Sequence, residues 1–234
     1  LDVANPHCHP CQLGGKFVDF QAQDVVRAGL QFCFGLQAQL LRLNLCALFH
    51  IAQRHAGLFD EWFLRRHLGL VLDCGESEGL ELAQRRLMDN ALGQARVLTH
   101  RDFMPRNLMP VTPGPAVLDF QDCVSGPIAY DAMSLFKDAF LSWPLERVDG
   151  WLARYHARAT RAGLPVPELK VFLRDADWMG IQRHLKILGI FSRLHYRDGK
   201  TRYLPDVPRF IRYLDEVLPR YPELDGLRTL LDAR

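Results

Sequence analysis

The stretch "VLTHRDFMPRNLMP", residues 97–110, leaves a short apolar run, sets His100, Arg101, Asp102 and Asn107 around Pro105, and then turns apolar again. A helix interior resists Pro105, which removes a backbone donor and clashes with the preceding turn, and a regular strand tolerates it poorly for the same reason. The segment therefore reads as a loop. Loops on rigid scaffolds are where catalytic groups are commonly presented, so polar residues this dense demand a chemical explanation.

Working outward, "RVLT" before the loop reads as a short strand and "PAVLDF" as a second, separated by the turn-forming "PVTPG", so that the two resemble a hairpin. Upstream, "LFDEWFLRRHLG" is an amphipathic helix that stops near Gly69. In "SEGLELAQRRLMDNALGQ", Ser77 is placed to cap a helix carrying Leu80, Ala83 and Leu87 on one stripe. Downstream of Gly126 and Pro127, a helix from about Tyr130 to Trp143 sets Met133, Phe136, Phe140 and Trp143 on one face. Further helices are expected near 145–162, 167–194, 207–218 and 224–233, with "GLPVP" and "RDGKTRYLPDVP" as linkers. The fold class is α+β and mostly helical, with a short strand pair holding the polar loops.

The chain has 234 residues, 48% hydrophobic and 24% charged, with a formal charge of +2. It can bury a sizeable core. So small a charge gives no case for nucleic acid or an acidic membrane surface and fits a small-molecule partner better. No apolar run approaches the roughly 20 residues that cross a bilayer, and "LDVANPHCHP" lacks the basic and apolar regions of an export signal. Six cysteines in this length do not make a disulfide scaffold and read as reduced thiols in a cytoplasmic protein. The absence of an initiator Met points to a start further upstream.

His100, Asp102 and Asn107 have the spacing H-x-D-x-x-x-x-N of the protein-kinase catalytic loop, in which the aspartate accepts the proton of the attacking hydroxyl and the asparagine holds magnesium. Phosphoryl transfer needs a carboxylate at the acceptor oxygen and, close by, a neutral oxygen ligand for a hard cation. It also needs a carboxylate on the metal, and Asp119 in "VLDFQD" supplies one. Phe120 follows it as in the kinase Asp-Phe-Gly motif, but Gln121 stands where protein kinases have glycine.

"LTHRDFMPRNLM" followed by "VLDFQDCVSGPIAYDAMSLFKDAFLSW" resembles the aminoglycoside phosphotransferase-like kinases, whose pattern here falls on His100, Asp102, Asn107, Asp119, Gly126 and Asp131. Within that family "HRDFMPRNLM", "DFQD" and "MGIQRHLKILGIFSRLHYRDGK" are similar to the bacterial anomeric kinases acting on N-acetylmuramate and N-acetylglucosamine in cell-wall recycling. The resemblance implies the C-terminal lobe of a protein-kinase-like fold over residues 58–234. It implies Asp102 as catalytic base, Asn107 and Asp119 as magnesium ligands, His100 and Asp131 as braces of the loop, and ATP and Mg²⁺ as cofactors. The acceptor would be the anomeric hydroxyl of an amino sugar. The alternative is an inactive lobe that binds a sugar or a partner.

Residues 1–57 do not resemble that family's nucleotide-binding lobe and read as its remnant or replacement. "QLGGKF" offers Gly14, Gly15 and Lys16, short of a phosphate-binding pattern. His7, Cys8, His9 and Cys11 match half of a zinc site, with Cys33 and Cys46 isolated. Cys74 and Cys123 are expected to be buried small apolar groups. Arg183 and Lys186 share a helical face, either solvated or placed to meet an anionic substrate, and Asp122 and Asp138 are candidate sugar contacts near the same cleft.

Overall fold

The computed structural model describes residues 57–112 and 115–232. Helix α1 (Phe59–His67) is wound with π-type turns and carries Asp60 and Glu61 at its start and Arg65, Arg66 and His67 at its end, charges that complement the helix dipole. It buries Phe59, Phe63 and Leu64. The chain turns away at Gly69, whose φ of +71° is the left-handed conformation that glycine adopts without penalty.

Helix α2 (Cys74–Gly93) buries the expected stripe of Leu80, Ala83 and Leu87, but its cap is Asp73 rather than Ser77. The Asp73 carboxylate accepts the Glu76 amide at 2.8 Å, and the Glu76 carboxylate accepts the Asp73 amide at 2.8 Å. This reciprocal pair satisfies two orphan amides at once. Ser77 lies inside the first turn, its amide already bonded to the Asp73 carbonyl at 3.0 Å.

Four short strands follow: β1 (Arg96–Thr99), β2 (Leu108–Met109), β3 (Ala116–Val117) and β4 (Val124–Pro127). The expected pairing of "RVLT" with "PAVLDF" does not form. Instead β1 runs antiparallel to β4, with Val97 opposite Gly126 and Thr99 opposite Val124, while β2 and β3 make the hairpin, with Leu108 opposite Val117. "VSGP" hides as a strand because Ser125, Gly126 and Pro127 carry turn signals. Gly126 has a packing reason to be there: a Cβ would lie 2.7 Å from Thr99 Oγ1.

Helix α3 (Tyr130–Phe136) ends a full two turns before Trp143. The Asp138 carboxylate captures the Phe140 amide at 2.9 Å, a side-chain bond that competes with continuing the helix. Trp143 still packs edge-on to Trp151, and Phe136 meets the same ring, each at 5.3 Å between centroids.

The remaining helices lie near their expected positions: α4 (Leu145–Arg161), α5 (Leu169–Tyr196), α6 (Val207–Val217) and α7 (Asp225–Asp232). Sixteen of the 28 residues of α5 are buried, more than one face can supply, so it is the central helix. Its N-terminal half, with Phe172, Ala176 and Met179, joins the core beneath β1, α3 and α4. Trp178, Ile181, Leu185, Leu188 and Phe191 join a second core with α1, α2, α6 and α7. Gly189 allows α1 to cross closely, since a Cβ there would sit 2.5 Å from the Leu58 carbonyl carbon.

A buried ionic group ties the end of α3 to α5 and the C-terminal turns. Lys137 Nζ lies 3.8 Å from Asp177, whose other oxygen accepts from the Tyr221 hydroxyl at 2.8 Å and from Arg220 at 3.2 Å. With two cations beside it and two hydrogen bonds on one oxygen, the buried carboxylate is tolerated.

Candidate active site

Strand β1 delivers the chain into the polar loop, and Asp131, in the first turn of α3, holds that loop from below. Its carboxylate accepts the His100 amide at 2.6 Å and the Arg101 amide at 3.1 Å. Burial pushes the Asp131 carboxyl up to about 6, against the pull of those two amides. Arg101 takes a φ of +75°, an unusual conformation for a side chain larger than glycine, and the two bonds to Asp131 hold it there. The next residue, Asp102, is exposed, and Phe103 anchors the loop with only 4% of its surface accessible.

A single 3-10 turn (Pro105–Asn107) then folds the loop on itself. Pro105 occupies its first position, where a missing amide costs nothing. Asn107 Nδ2 donates to the Asp102 carbonyl at 2.8 Å. That bond uses the amide nitrogen and leaves Oδ1 as the side chain's acceptor.

The hairpin brings Asp119 back to the same place. The Leu118 amide donates to the Asn107 carbonyl at 2.9 Å, and the Leu118 carbonyl meets His100 Nε2 at 2.8 Å. His100 is wholly buried, so its ring is an internal strut between the loop and the strand before Asp119. Asp119 is exposed with φ +62°, and one of its oxygens accepts Gln121 Nε2 at 2.5 Å. Asn107 and Asp119 thus offer hard oxygen donors of the kind magnesium takes when substrate phosphates and water complete its shell. The donor chemistry fits that ion, and it needs no cluster of three acids, which does not occur among the described residues.

The other residues singled out in the sequence fall into different surroundings. Asp122 is exposed beside buried Cys123. Burial and the neighbouring Asp131 and Asp122 push the Cys123 thiol up to about 11, so it stays protonated and inert. Cys74, expected to be buried, is exposed at the head of α2, because the capping box turns that end of the helix into solvent. Asp138 is 2% exposed and burial raises its pKa; one oxygen holds the Phe140 amide and the other has no partner. Arg183 and Lys186 line a cavity with Arg101 and Tyr130 whose walls include neither Asp102, Asn107 nor Asp119.

Sequence reasoning passed over Arg106, whose guanidinium lies 3.7 Å above the Phe140 ring. Its position between Pro105 and Asn107 in the motif was the available signal. The candidates at His7, Cys8, Cys11, Gly14, Gly15, Lys16, Cys33 and Cys46 fall outside the described residues. Among the described residues no helix is long and apolar enough to cross a membrane.

An N-acetylmuramate/N-acetylglucosamine kinase of Pseudomonas putida is 52% identical over 182 residues, which cover 77% of this chain and 54% of that protein. A protein of the same description from Neisseria meningitidis is 48% identical over 179 residues, covering 76% and 54%. The chain therefore spans about half the length of the curated relatives it matches. A choline kinase from Cryptosporidium parvum shares the fold, with a TM-score of 0.52 at 10% identity over 91% of this chain and 70% of that one. The profile of the phosphotransferase enzyme family matches residues 12–169, a span that contains the whole loop, hairpin and brace described above and most of the chain. The chain belongs to the phosphotransferase enzyme family.

Proposed function

We propose that this chain serves an ATP-dependent sugar kinase, with the anomeric hydroxyl of N-acetylmuramate or N-acetylglucosamine as phosphoryl acceptor. The observation that supports it most is the hydrogen-bonded net joining three short segments: Asp131 holds the amides before Asp102, Asn107 is tied to the Asp102 carbonyl, and Leu118 is pinned on both sides just before Asp119. Positioning is most of what a protein contributes to phosphoryl transfer, and such a net would bring a base and two oxygen ligands together. The names of the relatives add the amino sugar.

In this reading Asp102 accepts the proton of the acceptor hydroxyl. An anomeric hydroxyl is more acidic than an ordinary alcohol, so a carboxylate is a sufficient base. Asn107 and Asp119 would hold magnesium, which when bound neutralises charge on the ATP phosphates. Residues 58–234 would form the catalytic lobe, with residues 1–57 the remnant or replacement of the nucleotide lobe. A cytoplasmic setting for cell-wall recycling follows from the substrates.

The test is ADP release by the purified chain with magnesium ATP and either sugar or an aminoglycoside, run beside Asp102→Ala. Turnover that depends on an amino sugar and vanishes in the variant supports the reading. Turnover with aminoglycoside alone would replace the acceptor class. Sugar binding by calorimetry without any turnover would favour the alternative of an inactive binding lobe.

A further inference from the structure

The cavity between α2, the β1/β4 ribbon, the start of α3 and the middle of α5 has no part in the chemistry above. Its walls combine Arg101, Arg183 and Lys186 with Thr99, Tyr130 and Gln182, and set against these an apolar side that includes Met88, Leu92 and Met179. Among the described residues that line it none is acidic. Among the described residues none of the three cations has an ion-pair partner within 4 Å.

Arg183 carries most of the argument. It is only 6% exposed, and a buried guanidinium is costly unless its donors are used. One Nη reaches the Tyr130 hydroxyl at 3.3 Å, and the group sits 5.5 Å from the Tyr130 ring. Its Nε has no partner. Asp131 and Asp138 feel its charge at a distance, but neither meets it in an ion pair. A planar fork with an unused donor, buried beside two further cations, matches an oxyanion that can accept several bonds together. The cavity volume of about 70 Å³, against roughly 10–15 Å³ for a single water, limits the occupant to a small molecule.

We propose that this cavity is a second ligand site, which binds a phosphate dianion borne on a small apolar group. The phosphate lies among Arg101, Arg183 and Lys186, and the apolar part against Met88, Leu92 and Met179. The site touches the reaction centre through the backbone, because Arg101 lends its side chain to the cavity while its amide is held by Asp131, one residue before Asp102. The inference stands apart from the proposed sugar kinase reaction, since its test reads binding alone.

Inorganic phosphate is titrated into the full chain by calorimetry at low salt, with (S)-lactate as a carboxylate probe and N-acetylmuramate as competitor. Phosphate should bind in the millimolar range or tighter, at least tenfold better than lactate. Lys186→Gln and Arg183→Gln should each weaken it by about tenfold, and Arg154→Gln, on the exposed side of α4, should leave it unchanged. Lys186 is only half-buried, so its variant keeps the test open if Arg183→Gln fails to fold, which thermal unfolding reports. Phosphate affinity unaffected by Lys186→Gln, absence of phosphate binding, or lactate binding as well as phosphate overturns the proposal. Displacement of phosphate by N-acetylmuramate also overturns it, by making the cavity part of the acceptor site.

Discussion

Replacing Asp131 with asparagine separates what the loop brace contributes from what its burial costs. The carboxylate takes the amides of His100 and Arg101, while burial, the largest influence on it, moves its pKa from 3.8 up to about 6. A carboxyl that is more basic in the folded state binds its proton more tightly there. Its contribution to stability is therefore greatest below about pH 4, falls as the pH rises towards 6, and is level above that. At about 1.36 kcal/mol per pH unit, the loss across the interval is about 3 kcal/mol. Asparagine does not ionise, but its Oδ1 accepts one amide while its NH₂ faces the other, leaving a buried donor unpaired at about 1–3 kcal/mol. Urea unfolding of both proteins from pH 4 to pH 7 reads the difference, and other titrating groups cancel in it. From pH 4, where a little of the loss has already occurred, to pH 7 the comparison should shift in favour of Asp131→Asn by about 2 kcal/mol. A difference that does not change with pH refutes the reasoning, because it would mean that the two amides fully offset burial.

Other substitutions test other links. In Gly189→Ala the new methyl meets the backbone of Leu58, so α1 must shift and about 1–3 kcal/mol of stability should be lost in thermal unfolding; an unchanged melting temperature would show that the helices do not cross there. Leu188→Ala, at a wholly buried position, should cost about 2–5 kcal/mol. Asp73→Ala should cost about 1 kcal/mol and Ser77→Ala close to nothing, an order that reverses if Ser77 is the working cap. Asp102→Asn should lower sugar-dependent turnover by roughly a hundredfold to ten-thousandfold with an unchanged urea midpoint, since Asp102 is exposed.

The helix positions were legible: Leu80, Ala83 and Leu87 announce α2 as one periodic stripe, and α4 to α7 begin and end within a few residues of their expected bounds, although α5 is buried on more than one face. The strand pairing was not. β4 consists of Val, Ser, Gly and Pro, and its place beside β1 comes from Gly126 letting Thr99 approach, a contact across 27 residues that no local pattern records. The early end of α3 has a similar cause: beyond Asp138, Phe140 packs against the second core while Trp143 joins Phe136 and Trp151 in the first, so the expected single face splits. In the loop, the spacing of His100, Asp102 and Asn107 was readable and so was the chemistry it implies. The cavity wall was not, because Arg101, Tyr130 and Arg183 meet only when three elements do. Reading Arg183 and Lys186 as one helical face located the wall without showing what stands opposite.

The central position of α5 also sets a timetable for synthesis. Phe59 and Phe63 near the start of the described chain, and Met133 and Phe136 in α3, depend on residues of α5 for burial, and Leu188 emerges about 130 residues after Phe59. At roughly 5–20 residues per second, Phe59 and Phe63 leave the ribosome about 6–26 seconds before Leu188, and Met133 and Phe136, roughly 40 residues ahead of Phe172–Met179, about 2–9 seconds before the helix that covers them. During that interval the nascent chain presents unburied aromatic surface, so its yield on expression should respond to growth temperature and chaperone supply more than the stability of the finished fold would indicate.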